Sequence, residues 1–113
     1  MSNELQILQK VYDMILYGNT CLRQFPNYEK HVMTAEIRST MYELLRLIIR
    51  ANKRYYKKTT QQEIDIALEE LRVMIRLASD PGMKYLSLRK YEIWAKQLNE
   101  IGRMLGGWMK ATK

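Results

Sequence analysis

Arg46, Arg50, Lys53, Arg54 and Lys57 follow one another at spacings of three and four. On a helix that spacing lines the cations along one face, away from Met41, Leu45 and Ile48. Side chains of this kind capture phosphates, because a guanidinium fork engages two phosphate oxygens and also stacks on unpaired bases. Tyr55 and Tyr56 lie inside the run and offer rings to stacking. A second pair, Arg72 and Arg76, stands one helical turn apart. A charged helix face is often only solvated, and like charges at these spacings repel by a few tenths of a kcal/mol per pair. Cations near a helix C-terminus recover part of that from the macrodipole. The run carries one sign, which favours a polyanion.

Catalysis finds no comparable constellation. The single histidine, His31, has no Glu-x-x-His context of the sort a di-iron bundle needs, and it reads as a surface or cap residue. Cys21 has no marked acid or base partner and reads as buried. Gly102, Gly106 and Gly107 lack the strand and lysine spacing of a phosphate-cradling loop. No pair of carboxylates is clustered so as to separate an acid from a base. The expectation is a non-enzyme without metal or cofactor.

The whole chain shares the basic bias of its helix face. In 113 residues, 19 Lys and Arg face 12 Asp and Glu, a net charge of +7 with pI ≈ 9.6. That balance puts nucleic acid ahead of anionic membrane as a partner, although modest positive charge also serves solubility. A lone cysteine and no charged-apolar-small leader predict a cytoplasmic protein, and no apolar run approaches a membrane span of about 18 residues.

Elements that would position these residues are four helices in one domain over 1–113, at about 3–24, 28–56, 60–80 and 88–109. Leu5, Leu8, Val11, Tyr12, Ile15 and Leu22 predict the buried face of the first, with a bend or fraying turn at Gly18-Asn19. Phe25-Pro26 stops it. Met33, Ile37, Met41, Leu44, Leu45, Ile48 and Ala51 form the core face of the second. Thr60 and Glu63 have the spacing of a capping box for the third, whose core stripe is Ile64, Ala67, Leu68, Leu71, Met74, Ile75 and Ala78. Ile66, Val73 and Leu77 make a second strip on that helix, and a partner subunit is favoured to cover it. Asp80-Pro81-Gly82 ends it, and Ser87 offers an N-cap for the fourth.

The fourth helix carries Tyr91, Trp94, Leu98, Ile101, Leu105 and Trp108 on one face. Gly102, Gly106 and Gly107 interrupt a segment whose rhythm is otherwise helical, at a cost of about 1 kcal/mol each relative to Ala. Two readings stand: Gly106-Gly107 caps the helix, or the helix continues to Trp108 and the glycines admit a neighbouring backbone or subunit. Short connections between long helices predict an all-α, up-down-up-down four-helix bundle.

These motifs, in this order, resemble the accessory variability determinant proteins of diversity-generating retroelements and the four-helix-bundle proteins of bacterial ribosomal RNA intervening sequences. The carrying residues are Tyr12-Asp13-Met14-Ile15-Leu16, Phe25-Pro26, Ile37-Arg38, Glu43-Leu44-Leu45, Leu71-Arg72, Arg76-Leu77-Ala78, Leu86-Ser87, Tyr91-Glu92 and the block from Glu100 to Lys110. The chain departs from the family pattern at Gly18-Asn19 and at His31 to Ala35. The resemblance implies a bacterial or phage-encoded homopentameric barrel that associates with a reverse transcriptase and its template RNA and supports mutagenic copying. Arg72 and Arg76 are then the first choice for the nucleic-acid site, with Arg46, Arg50, Lys53, Arg54 and Lys57 as a second surface. Ile66, Val73, Leu77, Gly102, Gly106 and Gly107 are the expected subunit interface. The alternative within the same resemblance is a structural oligomer of the intervening-sequence type with no direct nucleic-acid role.

Overall fold

Four apolar stripes at helical spacing become four α-helices in the computed structural model, which describes residues 3–113. They are α1 (Asn3–Leu22), α2 (Met33–Lys53), α3 (Lys58–Ser79) and α4 (Leu88–Ala111), with a single 3-10 turn at Asn27–Glu29. Among the described residues there is no strand. Each helix packs on its two neighbours in the order α1, α2, α3, α4 and back to α1, and among the described residues the backbones of diagonal pairs stay apart. Antiparallel long-range contacts fix the register. Arg38 Nε donates to Asn19 Oδ1 at 3.2 Å across α1 and α2, and Lys10 Nζ meets Glu100 Oε2 at 2.7 Å across α1 and α4. The hydrogen bond from Lys10 and its charge hold the Glu100 carboxyl below the usual carboxylate range. A folded-state pKa lowered in this way stabilises the bundle at neutral pH, and the contribution fades as acid protonates the carboxylate.

Trp94 sits at the centre with no exposed surface, and its indole Nε1–H points at Met14 Sδ at 3.3 Å. Gly18 faces this ring. A Cβ there would lie 2.6 Å from Met41 Sδ and 2.8 Å from Trp94 Cζ2, so α1 approaches α2 and α4 where it has no side chain. No fraying turn interrupts the chain at Gly18-Asn19, and α1 stays helical through both residues. Its buried face is Ile7, Val11, Met14, Ile15, Cys21 and Leu22, while Leu5 and Tyr12, expected inside, are 52% and 55% exposed. The apolar residues of α1 form two overlapping stripes, and counting them together moved the predicted face toward the outer one.

The second helix begins at Met33, five residues later than the sequence suggested. Pro26 leads into the 3-10 turn, and the Glu29 carboxylate accepts the Met33 N–H at 3.2 Å, supplying the start of α2 with a cap from outside the helix. The other Glu29 oxygen accepts from the Tyr85 hydroxyl at 2.8 Å, and the Tyr28 hydroxyl lies 3.1 Å from the same group. These hydrogen bonds push the Tyr85 phenol pKa up and tie the α3–α4 connection to the start of α2.

At its other end α2 stops at Lys53, and the predicted continuation to residue 56 is replaced by an extended turn at Arg54. Lys57 Nζ donates to the carbonyls of Ala51, Asn52 and Arg54 at 2.7, 3.1 and 2.8 Å, closing the helix C-terminus with its charge. The Thr60 capping box also gives way. Helix α3 starts at Lys58, and the buried Thr60 hydroxyl accepts from Arg54 Nη1 at 2.6 Å instead. Lys57→Met should therefore lower the unfolding free energy by about 1–2 kcal/mol, a charged hydrogen-bond contribution discounted for partial exposure. The urea midpoint read by circular dichroism checks this.

Ser87 caps α4 as the sequence suggested, its side chain accepting from the Lys90 N–H. The helix continues through Gly106 and Gly107 to Ala111, so these glycines are interior residues, not a C-cap.

Candidate nucleic-acid interface

The one-signed run on α2 divides into two groups with different partners. Arg46, Arg50 and Lys53 lie exposed on the outer face of the helix, opposite Met41, Leu44 and Ile48. Arg46 touches Glu43 at 3.0 Å, an exposed contact one turn away that water and salt readily replace. Among the described residues no carboxylate pairs with Arg50 or Lys53. Arg54 and Lys57 lie beyond the helix end and hold the α2–α3 connection through the bonds to Thr60 and to the α2 carbonyls. Arg50 and Lys53 thus have no acidic partner among the described residues, Arg46 has only an exposed one, and Arg54 and Lys57 fix the backbone next to them.

Beyond the run, the same end of the bundle stays basic. No acid occurs between Glu43 and Glu63, where Lys58 joins the cations already named, and none follows Glu100, where Arg103, Lys110 and Lys113 occur. The starts of α1 and α3 and the ends of α2 and α4 meet here, with Gln61 Nε2 donating to Thr112 Oγ1 at 2.8 Å.

Arg72 and Arg76 are separated in role although one turn apart. Arg72 is half-buried, its Nη1 on Glu69 at 3.2 Å and its Nη2 3.4 Å from the Leu98 carbonyl of α4. The guanidinium fills the space beside Gly102, where a Cβ would collide with Nη2. Gly102 is thus a slot for this chain's own arginine. Arg76 is exposed and, among the described residues, without an acidic partner. No signal in the sequence tied Arg72 to Gly102, because the two meet only when α3 packs on α4.

The strip of Ile66, Val73 and Leu77 is exposed, at 61%, 47% and 50%. Ile66 and Val73 line a groove of about 660 Å³ between α2 and α3 with Met74, and Glu36, Asp65, Glu69 and Glu70 surround it. Three of these acids come from α3, where carboxylates in the first half of the helix suit its dipole, and Glu36 comes from α2. A second apolar strip carries Leu5 and Leu8 of α1, both expected in the core, together with Ile49 of α2. Around Gly106 and Gly107 a Cβ would meet nothing within 4 Å.

His31 is exposed and Cys21 buried, where loss of water raises the thiol pKa. Among the described residues no group of His, Cys, Asp and Glu is placed to hold a metal ion, and no helix is long and apolar enough to cross a membrane.

The bAvd-like family model matches residues 5–112. The chain belongs to the bAvd-like family. The match agrees with the resemblance carried by the Tyr12–Leu16 and Glu100–Lys110 segments and places the chain among accessory proteins of the Avd type, a non-catalytic class linked to diversity-generating retroelements. No curated protein matches the chain significantly. The exposed cations of α2 and the exposed apolar strips are the surfaces that packing within the chain leaves open to solvent.

Proposed function

We propose that this protein is a non-catalytic subunit of a diversity-generating retroelement that acts in the cytoplasm as a homopentamer. It binds template RNA and the reverse transcriptase and supports mutagenic copying. The observation that carries the reading is the exposed one-signed face of Arg46, Arg50 and Lys53 on a bAvd-like bundle. Such a face releases counterions when it meets phosphates. Assembly draws support from two uncovered surfaces, the acid-rimmed groove at Ile66 and Val73 and the apolar strip at Leu5, Leu8 and Ile49. Unlike surfaces on one chain join head to tail, and a closed rotation makes such contacts into a ring.

A second reading is a purely structural oligomer of the ribosomal RNA intervening-sequence type. It is favoured by the internal roles of Arg54, Lys57 and Arg72, which account for part of the positive charge within the fold. Salt separates the two. If each chain engages three phosphates of a single strand, the logarithm of the RNA binding constant should fall against log salt with a slope of about −2 per chain. Replacing Arg46, Arg50 and Lys53 by Gln should flatten that slope and leave helicity unchanged. DNA of the same length serves as competitor. Arg76→Ala should weaken RNA or polymerase association, whereas Arg72→Ala should act mainly through stability. Binding that is absent in dilute buffer, or indifferent to salt and to the triple substitution, would leave the structural reading.

A further inference from the structure

Among the described residues Tyr55 and Tyr56 are the most exposed large hydrophobics, at 89% and 84%, and neither contributes to the core. Their rings stand edge to face with centroids 4.8 Å apart, which leaves ring faces open to solvent. A connection between two helices needs polar residues and a turn, and this fold gives no reason for adjacent aromatics there. The backbone beneath them is nevertheless firmly held. Arg54 N–H donates to the Arg50 carbonyl, Arg54 Nη1 to Thr60, Lys57 Nζ to three carbonyls, and the Gln61 N–H to the Lys57 carbonyl. Rings mounted on a held backbone have only two side-chain torsions each to fix when a ligand arrives.

The surroundings of the pair define the ligand. The rings line an open cleft of about 490 Å³ with Lys57, Trp108, Thr112 and Lys113, a size within the range of ligand sites. Lys53 precedes the pair and Lys58 follows it, both exposed. Glu4 is an acid on the lining and unsuited to phosphate, which leaves the strand's phosphates to the lysines around the cleft. Flat rings among ammonium groups match a strand whose bases are available for stacking, which duplex bases are not.

We propose that Tyr55 and Tyr56 form a stacking platform for unpaired bases of single-stranded RNA, with the neighbouring phosphates held by Lys53, Lys58 and Lys113. The proposal rests on the nucleic-acid reading above and adds a preference that charge alone does not give. It makes the α2–α3 connection, not the helix faces, the part of the protein that distinguishes single strands from duplex.

The test uses the full chain with two probes, an unstructured oligouridylate and an RNA duplex carrying the same number of phosphates. The double substitution Tyr55→Ala, Tyr56→Ala should weaken oligouridylate binding by about fivefold or more, the equivalent of at least one stacked base. Duplex binding and the oligomeric mass in sedimentation should stay as they were. Tyr55→Phe with Tyr56→Phe should retain the single-strand affinity, since the ring and not the hydroxyl makes the contact. Equal losses on both probes, no loss on either, or a fall in oligomeric mass would overturn the platform, the last showing the rings to be a subunit contact. Loss in the Phe variant equal to that in the Ala variant would overturn it as well. Wild-type protein that binds neither RNA would overturn the nucleic-acid reading itself, whereas binding that ignores the tyrosines removes only the platform.

Discussion

Replacing Trp94 by Ala should cost about 3–5 kcal/mol of stability, the range for removing a buried aromatic from a close-packed interior. Trp94 is the largest fully buried side chain, and three helices meet it: α1 through Met14 and Gly18, α2 through Met41 beside Gly18, and α4 from which it projects. Because domains of this size are stable by only about 5–15 kcal/mol, the loss takes a large share of the total. Trp108 makes the useful comparison. It is almost as buried, at 3% exposed, but it lines the open cleft at the basic end, where water or a shifted side chain can occupy the space it leaves. Trp108→Ala should therefore cost less than Trp94→Ala. Urea midpoints at one fixed chain concentration compare the two without interference from assembly. Equal costs would mean that the centre of the bundle collapses around the missing indole as easily as its end does.

The contrast between the tryptophans also explains which parts of the fold were legible beforehand. Stripes that stay in phase over several turns, such as Ile64 to Ala78 and Trp94 to Trp108, identify their buried faces, because the helical period is a property of the local chain. Ser87 was legible for the same reason, as capping involves only neighbours in sequence. Thr60 and Glu63 have equally good local spacing, yet Arg54 engages the hydroxyl and the helix begins before it. The candidate site divides along the same line. The exposure of Arg46, Arg50 and Lys53 follows from their place opposite the core stripe. The inward turn of Lys57 depends on the chain reversing after Lys53, and the seating of Arg72 depends on a gap in α4 that only packing brings beside it. Tyr55 and Tyr56 were visible as stacking candidates beside the basic run, but their rigid mounting was not, since it comes from side chains that fold back onto the connection.

Glycine substitutions should change sign between Gly18 and Gly106, although both residues lie inside helices of the same bundle. At Gly18 the new Cβ would press on the Trp94 ring at 2.8 Å and on the Met41 sulfur at 2.6 Å. Met41 has torsions with which to yield, but the indole is rigid and enclosed on all sides. Ala there gains about 1 kcal/mol of helix propensity and loses about 1–3 to overpacking, a small net destabilisation. Val adds two further methyl-sized groups and a restricted χ1, so Gly18→Val should destabilise by about 3 kcal/mol. At Gly106 nothing stands within 4 Å of the added carbon, and Gly106→Ala should stabilise the isolated chain by about 0.5–1 kcal/mol. A larger residue at that position tests a different surface. If the proposed pentamer brings a neighbouring helix against the glycines of α4, Gly106→Leu should leave the single chain folded and reduce the oligomeric mass in sedimentation. Intact mass with raised stability would place the subunit contact elsewhere, with the strips at Ile66 and Val73 and at Leu5 and Ile49 as the remaining surfaces to substitute. A destabilised single chain after Gly106→Ala would contradict the open surroundings of that residue, and a Gly18→Val protein as stable as the wild type would mean that α1 can move away from Trp94 at no cost.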